Sequence, residues 1–442
     1  MREKLFYMMA NLCSRGFEDR IQQGESRYSK QEIECLQFKK FIKLYRYAFG
    51  HIPFYKKKYE RAGLSLSSLS CYADIKRVPC LSRQELIEQQ ELLHRRQGVT
   101  FLESGGTTGA RVHTQLNKSI AVKRYEMLLQ ILYRVGWQIS MPSAAFYSNE
   151  YRYSTNFFPL LRRGQLNKLI FDFIQQYVIY GFFHNRKNIY FGSELFVQNN
   201  ADRYLRPVWN KKPVLLIARP DVITVLIKQG KIKGVDFRPI KSIVTVGNML
   251  TESTRSLIEE VFSATVYNMY ASTELGYIGV SCPGSGVSVH VDDENYIVEV
   301  ADNDQNEIVV TDFNNYMLPL IRYKSSDVGE YAPRKCFCGR SGQVLCLRGR
   351  TRRFILSDTE NKIYEYDVIE FFEQFKDIIN YQIVRRPDQQ LSMNIGGGQS
   401  KGDKDQILVD FCDSFKIDPR RVLLESDGEL IRSPSGKVCC LV

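Results

Sequence analysis

Between residues 214 and 267 the chain alternates short apolar runs with helical stretches, and this alternation restricts the fold more than any other feature. The runs Val214 to Ala218 and Ile243 to Gly247 are too short for buried helices and too apolar for strands with one wet face. Each is followed by a segment of helical pattern: Asp221 to Gln229, then Thr251 to Phe262, with Thr251 placed as an N-cap. Thr265-Val266-Tyr267 opens another strand. Strands joined by crossover helices run parallel, so a largely parallel sheet with helices packed against it is expected.

On either side the pattern changes. Residues 1–60 read as helix, turn, helix; Gln31 to Tyr47 carries Ile33, Leu36, Phe41, Leu44 and Tyr45 at helical spacing, and Pro53 ends it. Ser82 followed by Glu85 marks the start of a capped helix to Leu93. From Val99 the style is α/β. Beyond about residue 285, Tyr296 to Val300 and Glu307 to Thr311 predict antiparallel strands. Residues 351–442 read as a small α+β unit, with helices at Asp367 to Phe375 and Asp405 to Phe415 and a strand at Ile378 to Val384. Asn394-Ile395-Gly396-Gly397-Gly398 reads as a flexible turn. The expected class is thus α/β with α+β. A large domain, 1–349, holds mixed and parallel sheets flanked by helices plus a β-rich lobe; a small mobile α+β domain, 350–442, follows.

The formal net charge is +12. The cations of the first hundred residues, such as Lys56-Lys57-Lys58 and Arg95-Arg96, alternate with carboxylates, which predicts a solvated face rather than a nucleic-acid surface. No run reaches the roughly 18 apolar residues that a membrane span needs. The stretch Leu5 to Cys13 is short and continues into Arg15, so it reads as an amphipathic helix of the mature protein. Eleven cysteines, an odd number without a convincing signal peptide, predict reduced thiols and a cytoplasmic protein.

Five motifs carry chemistry. Ser104-Gly105-Gly106-Thr107-Thr108-Gly109 is small and hydroxyl-rich, so backbone N–H groups can approach an anion closely. Tyr270-Ala271-Ser272-Thr273-Glu274 follows a predicted strand, where α/β proteins place ligand groups, and Glu274 offers magnesium an oxygen ligand. Arg322-Tyr323-Lys324-Ser325-Ser326-Asp327 puts an acid within reach of ribose hydroxyls. Gly349-Arg350 and Ser435-Gly436-Lys437 complete the series. Each alone also reads as an ordinary loop.

In this order the five resemble the adenylate-forming superfamily of acyl-CoA synthetases and ligases, and in particular its phenylacetate–CoA ligase-like branch, with the capsule-biosynthesis adenylyltransferase-like proteins. That branch also opens with a helix running into a segment like Pro53-Phe54-Tyr55. The resemblance implies an enzyme that activates a carboxylic acid with ATP to an acyl-adenylate, releases pyrophosphate and passes the acyl group to a thiol, most simply coenzyme A. Ser104, Gly105, Gly106, Thr107, Thr108 and Gly109 would hold the β- and γ-phosphates. Thr273 and Glu274 would meet the α-phosphate and magnesium. Tyr270 would pack on adenine, Asp327 would bind ribose, Arg350 would help hold nucleotide at the domain junction, and Lys437 would bring its charge to the reacting oxygens. The junction departs from the family pattern: Arg352-Arg353 stand where aspartates are usual. An amine or a carrier-protein thiol is therefore an alternative acceptor. A homodimer is also compatible with the resemblance. A third reading, a non-catalytic nucleotide-binding protein, is opposed by the retention of Glu274, Asp327, Arg350 and Lys437.

Cys336 and Cys338, with Cys282 and His290, could make a closed tetrahedral zinc site. Four unlinked residues, with the thiols buried as small hydrophobes, is the other reading.

Overall fold

The short apolar run Leu215–Ala218 is a fully buried strand, and it lies at the centre of the parallel sheet that the alternating pattern predicts. The computed structural model describes all residues except 23–27, 94–99, 104–112, 150–152, 163, 165, 193, 198–199, 303–304, 334–335, 341, 376, 389, 398–400, 427–429 and 432–439. The chain forms two compact units: Met1–Leu12 with Arg134–Asn268 and Arg348–Val442, and Cys13–Tyr133 with Met269–Leu347.

In the first unit, Arg186–Phe191 pairs parallel with Ser143–Ser148, which pairs with Leu215–Ala218, which pairs with Ser242–Val246. Thr265–Ser272 comes next in the order and continues into the second unit. Helices Ala201–Lys211, Pro220–Ile232 and Glu252–Phe262 supply connections. Thr251 caps the last of these as expected, its side chain accepting the Thr254 N–H at 3.2 Å. Pro220 starts its helix at the first turn, where a missing N–H costs nothing.

The C-terminal part of this unit has its own core, in which Phe372 stacks on Tyr381 at 4.0 Å and packs with Phe411, Ile383 and Met393. Its sheet joins Ile378–Arg385 antiparallel to Leu391–Gly397 and the latter parallel to Val422–Ser426. The turn expected at residues 394–398 is therefore a strand as far as Gly397. The reason lies across the ladder. A Cβ on Gly396 would fall 2.0 Å from the Asn380 Oδ1, so glycine here makes room for Asn380, whose amide donates to the Phe196 carbonyl at 2.8 Å. The strand Ile378–Arg385 also fastens both sides of the stretch 432–439. Buried Gln382 donates to the Ile431 carbonyl at 2.9 Å and accepts its N–H at 2.7 Å, while Ile383 pairs with Leu441.

The second unit includes helices Phe17–Gln22, Lys30–His51, Pro53–Arg61, Arg83–Leu93 and nearly all of Lys118–Arg134. Ser82 and Glu85 form the expected reciprocal cap, at 3.2 and 2.8 Å. Its antiparallel strands run in the order Tyr296–Val300, Glu307–Asp312, Tyr323–Tyr331, Val344–Arg350, Val289–Val291, Gly276–Val280 and the end of Thr265–Ser272. Arg322 locks the helical segment to this sheet: its guanidinium grips the Glu299 carboxylate at 2.9 and 3.0 Å and donates to the carbonyls of Lys76 and Val78. Among the described residues no helix is long and apolar enough to cross a membrane.

Within the first unit, Lys228 of Pro220–Ile232 and Glu373 of Glu365–Glu373 approach to 3.9 Å, each with only 6% of its side chain exposed. Burial pushes the Glu373 carboxyl up and the Lys228 ammonium down, and each charge opposes the shift of the other. Glu373→Gln strands the lysine charge and is expected to cost about 3–5 kcal/mol in urea unfolding. Lys228→Met combined with Glu373→Leu is expected to recover most of that loss.

Candidate functional site

Four of the motif residues meet in the second unit. Strand Thr265–Ser272 delivers Tyr270 to a buried position, and the Tyr270 hydroxyl donates to the Asp327 Oδ2 at 2.7 Å from the neighbouring motif. Thr273 and Glu274 occupy the turn that follows. The Ser272 hydroxyl accepts the Leu275 N–H at 3.1 Å, which tightens that turn. Gly276 leaves it with φ +84°.

Glu274 is buried, and a buried carboxylate needs partners. Its Oε1 meets Arg83 Nη1 at 3.4 Å and the Tyr323 hydroxyl at 3.5 Å. Burial and then the Glu274 charge push the Tyr323 hydroxyl far above its ordinary range, so it serves as a donor, not as a base. Arg124 holds the turn from below, donating to the carbonyls of Thr273, at 2.9 Å, and Glu274. The site is thus a rigid turn with a fixed anionic oxygen, beside an acid, Asp327, oriented by a phenol.

Arg350 lies in the first unit at the exposed end of Val344–Arg350, where its carbonyl accepts the Arg353 N–H at 3.0 Å. Lys437 and Ser104, Gly105, Gly106, Thr107, Thr108 and Gly109 lie outside the described residues. The strands flanking that glycine-rich segment, Thr100–Glu103 and His113–Leu116, pair antiparallel with Glu103 opposite His113.

The cysteine and histidine reading comes together as one cluster. Cys282 Sγ lies 3.4 Å from Cys336 Sγ and 3.5 Å from His290 Nε2, and Cys338 Sγ is 3.4 Å from that nitrogen. All four ligand atoms fall within 4.8 Å of one another. A tetrahedral zinc with Zn–S of about 2.3 Å and Zn–N of about 2.0 Å sets its ligands roughly 3.5–3.8 Å apart, so the donor set and spacing fit. A Cβ on Gly284 would lie 3.3 Å from Cys336 Sγ, so glycine lets the backbone close over the thiols. Burial opposes ionisation of Cys282, yet hydrogen bonds from Ser285, Cys336 and the Gly284 N–H lower its thiol, while burial pushes Cys336 up to about 11.

No family model matches the chain. A curated phenylacetate–coenzyme A ligase from Thermus thermophilus is 20% identical over 386 residues, covering 81% of this chain and 79% of that protein. Among solved structures, a 2-hydroxyisobutyryl-CoA ligase in its postadenylation state with R3-HIB-AMP matches at TM-score 0.71 and 16% identity, over 93% of this chain and 90% of that one. The chain has the fold of an adenylate-forming ligase. The amide bond synthetase McbA from Marinactinospora thermotolerans shares it at TM-score 0.51 and 12% identity, over 78% of this chain and 68% of that one. The superfamily recognised from five ordered motifs, and the AMP-forming ligase class with it, agree with these relatives.

Three residues of the site, Arg83, Arg124 and Tyr323, carry no role in the sequence motifs. Tyr323 lies inside the motif that ends at Asp327. Arg124 had a legible signal: it shares the stripe of Ile120, Met127 and Ile131 on Lys118–Arg134, a cation on a buried face. Arg83 had none. A Cβ on Gly276 would sit 3.2 Å from Arg124 Nε, so Gly276→Ala both strains the backbone and pushes Arg124 off the turn. It is expected to cost about 2 kcal/mol or more in thermal unfolding, and an unchanged midpoint would remove this role for Arg124.

Proposed function

We propose that the protein activates a carboxylic acid with ATP and passes the acyl group to a thiol, most simply that of coenzyme A. The observation that carries this reading is the convergence of Tyr270, Thr273, Glu274 and Asp327 on one rigid turn and its neighbouring strand, in a chain with this fold. In the first step a carboxylate oxygen attacks the α-phosphorus, the bond to the pyrophosphate oxygen breaks, and acyl-adenylate forms. Two anions must meet, so the barrier falls only if fixed dipoles and cations face the reacting oxygens. Ser104 to Gly109 would supply N–H and hydroxyl donors to the phosphates, Thr273 a hydroxyl at the α-phosphate, and Asp327 an acceptor for ribose. Tyr270 would support the nucleotide beside it, and Arg350 would add charge. Glu274, held by Arg83 and Tyr323, is a hard oxygen donor of the kind that would hold magnesium, which neutralises phosphate charge. Lys437 would come from a small C-terminal domain, 350–442; the separate core around Phe372 supports that division.

A second reading changes the acceptor to an amine or a carrier-protein thiol. It is favoured by Arg352-Arg353 in place of acids: Arg353 pairs with Glu365 at 3.8 Å, and Arg348 stacks over Tyr366 at 5.0 Å. The amide bond synthetase of like fold points the same way.

Carboxylate-dependent exchange of pyrophosphate into ATP, screened over aryl, fatty and amino acids, tests the first step. Lys437→Ala is expected to slow exchange roughly 10²–10³-fold with unchanged stability; a full rate in that variant sinks the assignment. Product masses with coenzyme A and with amine acceptors separate the two readings.

We assign the cluster of Cys282, His290, Cys336 and Cys338 to a structural zinc. Untagged protein is expected to carry about one zinc per chain, and Cys336→Ser to lose it and to unfold at lower temperature. Metal content well below one per chain in the native protein refutes the assignment.

A further inference from the structure

At the outer edge of the parallel sheet, far along the strands from their carboxyl ends, the first unit presents a basic recess. It has a volume of about 740 Å³ and is lined by Lys187, Arg203, Arg206, Pro207, Asn210 and Lys211, with no carboxylate among them. Helix Ala201–Lys211 brings five of these six to one face by helical spacing, and Lys187 is the second residue of strand Arg186–Phe191. Ligands of open α/β sheets bind at the carboxyl ends of the strands, so this recess lies apart from any such site. Its cations are crowded: burial first, then the charges of Arg2 and Lys187, lower the Lys211 ammonium, which is held by the Asn185 side chain at 2.5 Å.

The same unit carries an exposed apolar stripe. Leu166, Ile170 and Ile174, at i, i+4 and i+8 along consecutive helices Leu166–Phe173 and Ile174–Phe183, are 57%, 51% and 43% exposed. On the neighbouring helix Arg2–Cys13, Met8 is 58% exposed. The two features join at Arg2, whose guanidinium lies 5.0 Å from the centroid of the exposed Phe182 ring while its charge reaches Lys211. Phe6 packs on Phe183 at 5.3 Å and seats the N-terminal helix there.

We infer that this face docks on an anionic lipid membrane. An apolar helical stripe joined through Arg2 to a cluster of Lys and Arg is what an interfacial surface requires: the stripe enters the headgroup region and the cations meet lipid phosphates. A small soluble anion would use the recess and leave the stripe idle. A second copy of the chain is opposed by charge, because residues 1–12, 153–187 and 201–212 contain eleven Lys or Arg against Glu3, Asp172 and Asp202. The surface carries no step of the acid activation, so its test does not depend on that reading.

The test is flotation of the full chain, without ATP, with phosphatidylcholine vesicles that contain or lack phosphatidylglycerol. Binding is expected only to the anionic vesicles and is expected to weaken with salt. Arg203→Gln with Arg206→Gln is expected to weaken partitioning roughly thirty-fold, at about 1 kcal/mol per cation. Leu166→Ser with Ile170→Ser is expected to abolish the binding that survives high salt. Absence of binding to anionic vesicles overturns the inference. So does full binding by the serine variant, which would leave only a soluble-anion recess, or a dimer in solution that the serine variant dissociates. Circular dichroism and the thermal unfolding midpoint check that each variant remains folded.

Discussion

The candidate site depends on one buried charge. Glu274 sits in a turn that water scarcely reaches, and an unpaired carboxylate there would cost more than the turn could return. The fold answers with Arg83 from one helix, the Tyr323 hydroxyl from a strand, and Arg124 from a second helix on the carbonyls next to it. Each partner is itself fixed. Arg83 follows a reciprocal Ser82–Glu85 cap, and Tyr323 follows Arg322, whose grip on Glu299 and two carbonyls ties the same segment to the sheet. The turn that carries Glu274 is thus tied to two helices and a strand of the second unit. The same rigidity leaves the Asp327 carboxylate oriented by Tyr270.

The first unit solves a different problem, that of holding its C-terminal part against the parallel-sheet part. Among the described residues, polar contacts join the two parts. Lys228 and Glu373 are buried at 3.9 Å, Glu370 accepts the Ser253 N–H at 3.3 Å, and Asn380 reaches the Phe196 carbonyl. Such contacts give geometry more than stability, since burying two charges offsets most of their attraction. Local firmness comes from the aromatic core around Phe372 and Phe411 and from the strand that fastens Ile431 and Leu441 on either side of the Lys437 segment.

Much of this was legible from residues alone. The alternation around Leu215–Ala218 and Ser242–Val246 predicted parallel strands because both faces of such strands must be apolar. The caps at Ser82 and Thr251 were legible because a hydroxyl before a helix has one obvious use. The strand through Gly396 was not legible: glycine signals a turn unless the residue opposite is known, and Asn380 is opposite only in the folded sheet. The cluster of Cys282, His290, Cys336 and Cys338 was half legible, since ligand types show in sequence while convergence of two segments some fifty residues apart does not.

The sequence by itself determined the kinds of element, their order and the chemistry available at each motif, because periodicity, capping and side-chain type are local properties. Only the tertiary structure decided which cation neutralises Glu274, which phenol orients Asp327, where a lysine is buried against a glutamate, and that Arg2 stands between the exposed Phe182 ring and Lys211 of a basic recess. These are distances between residues remote in the chain, and they are set by how strands pair and helices pack rather than by any local preference.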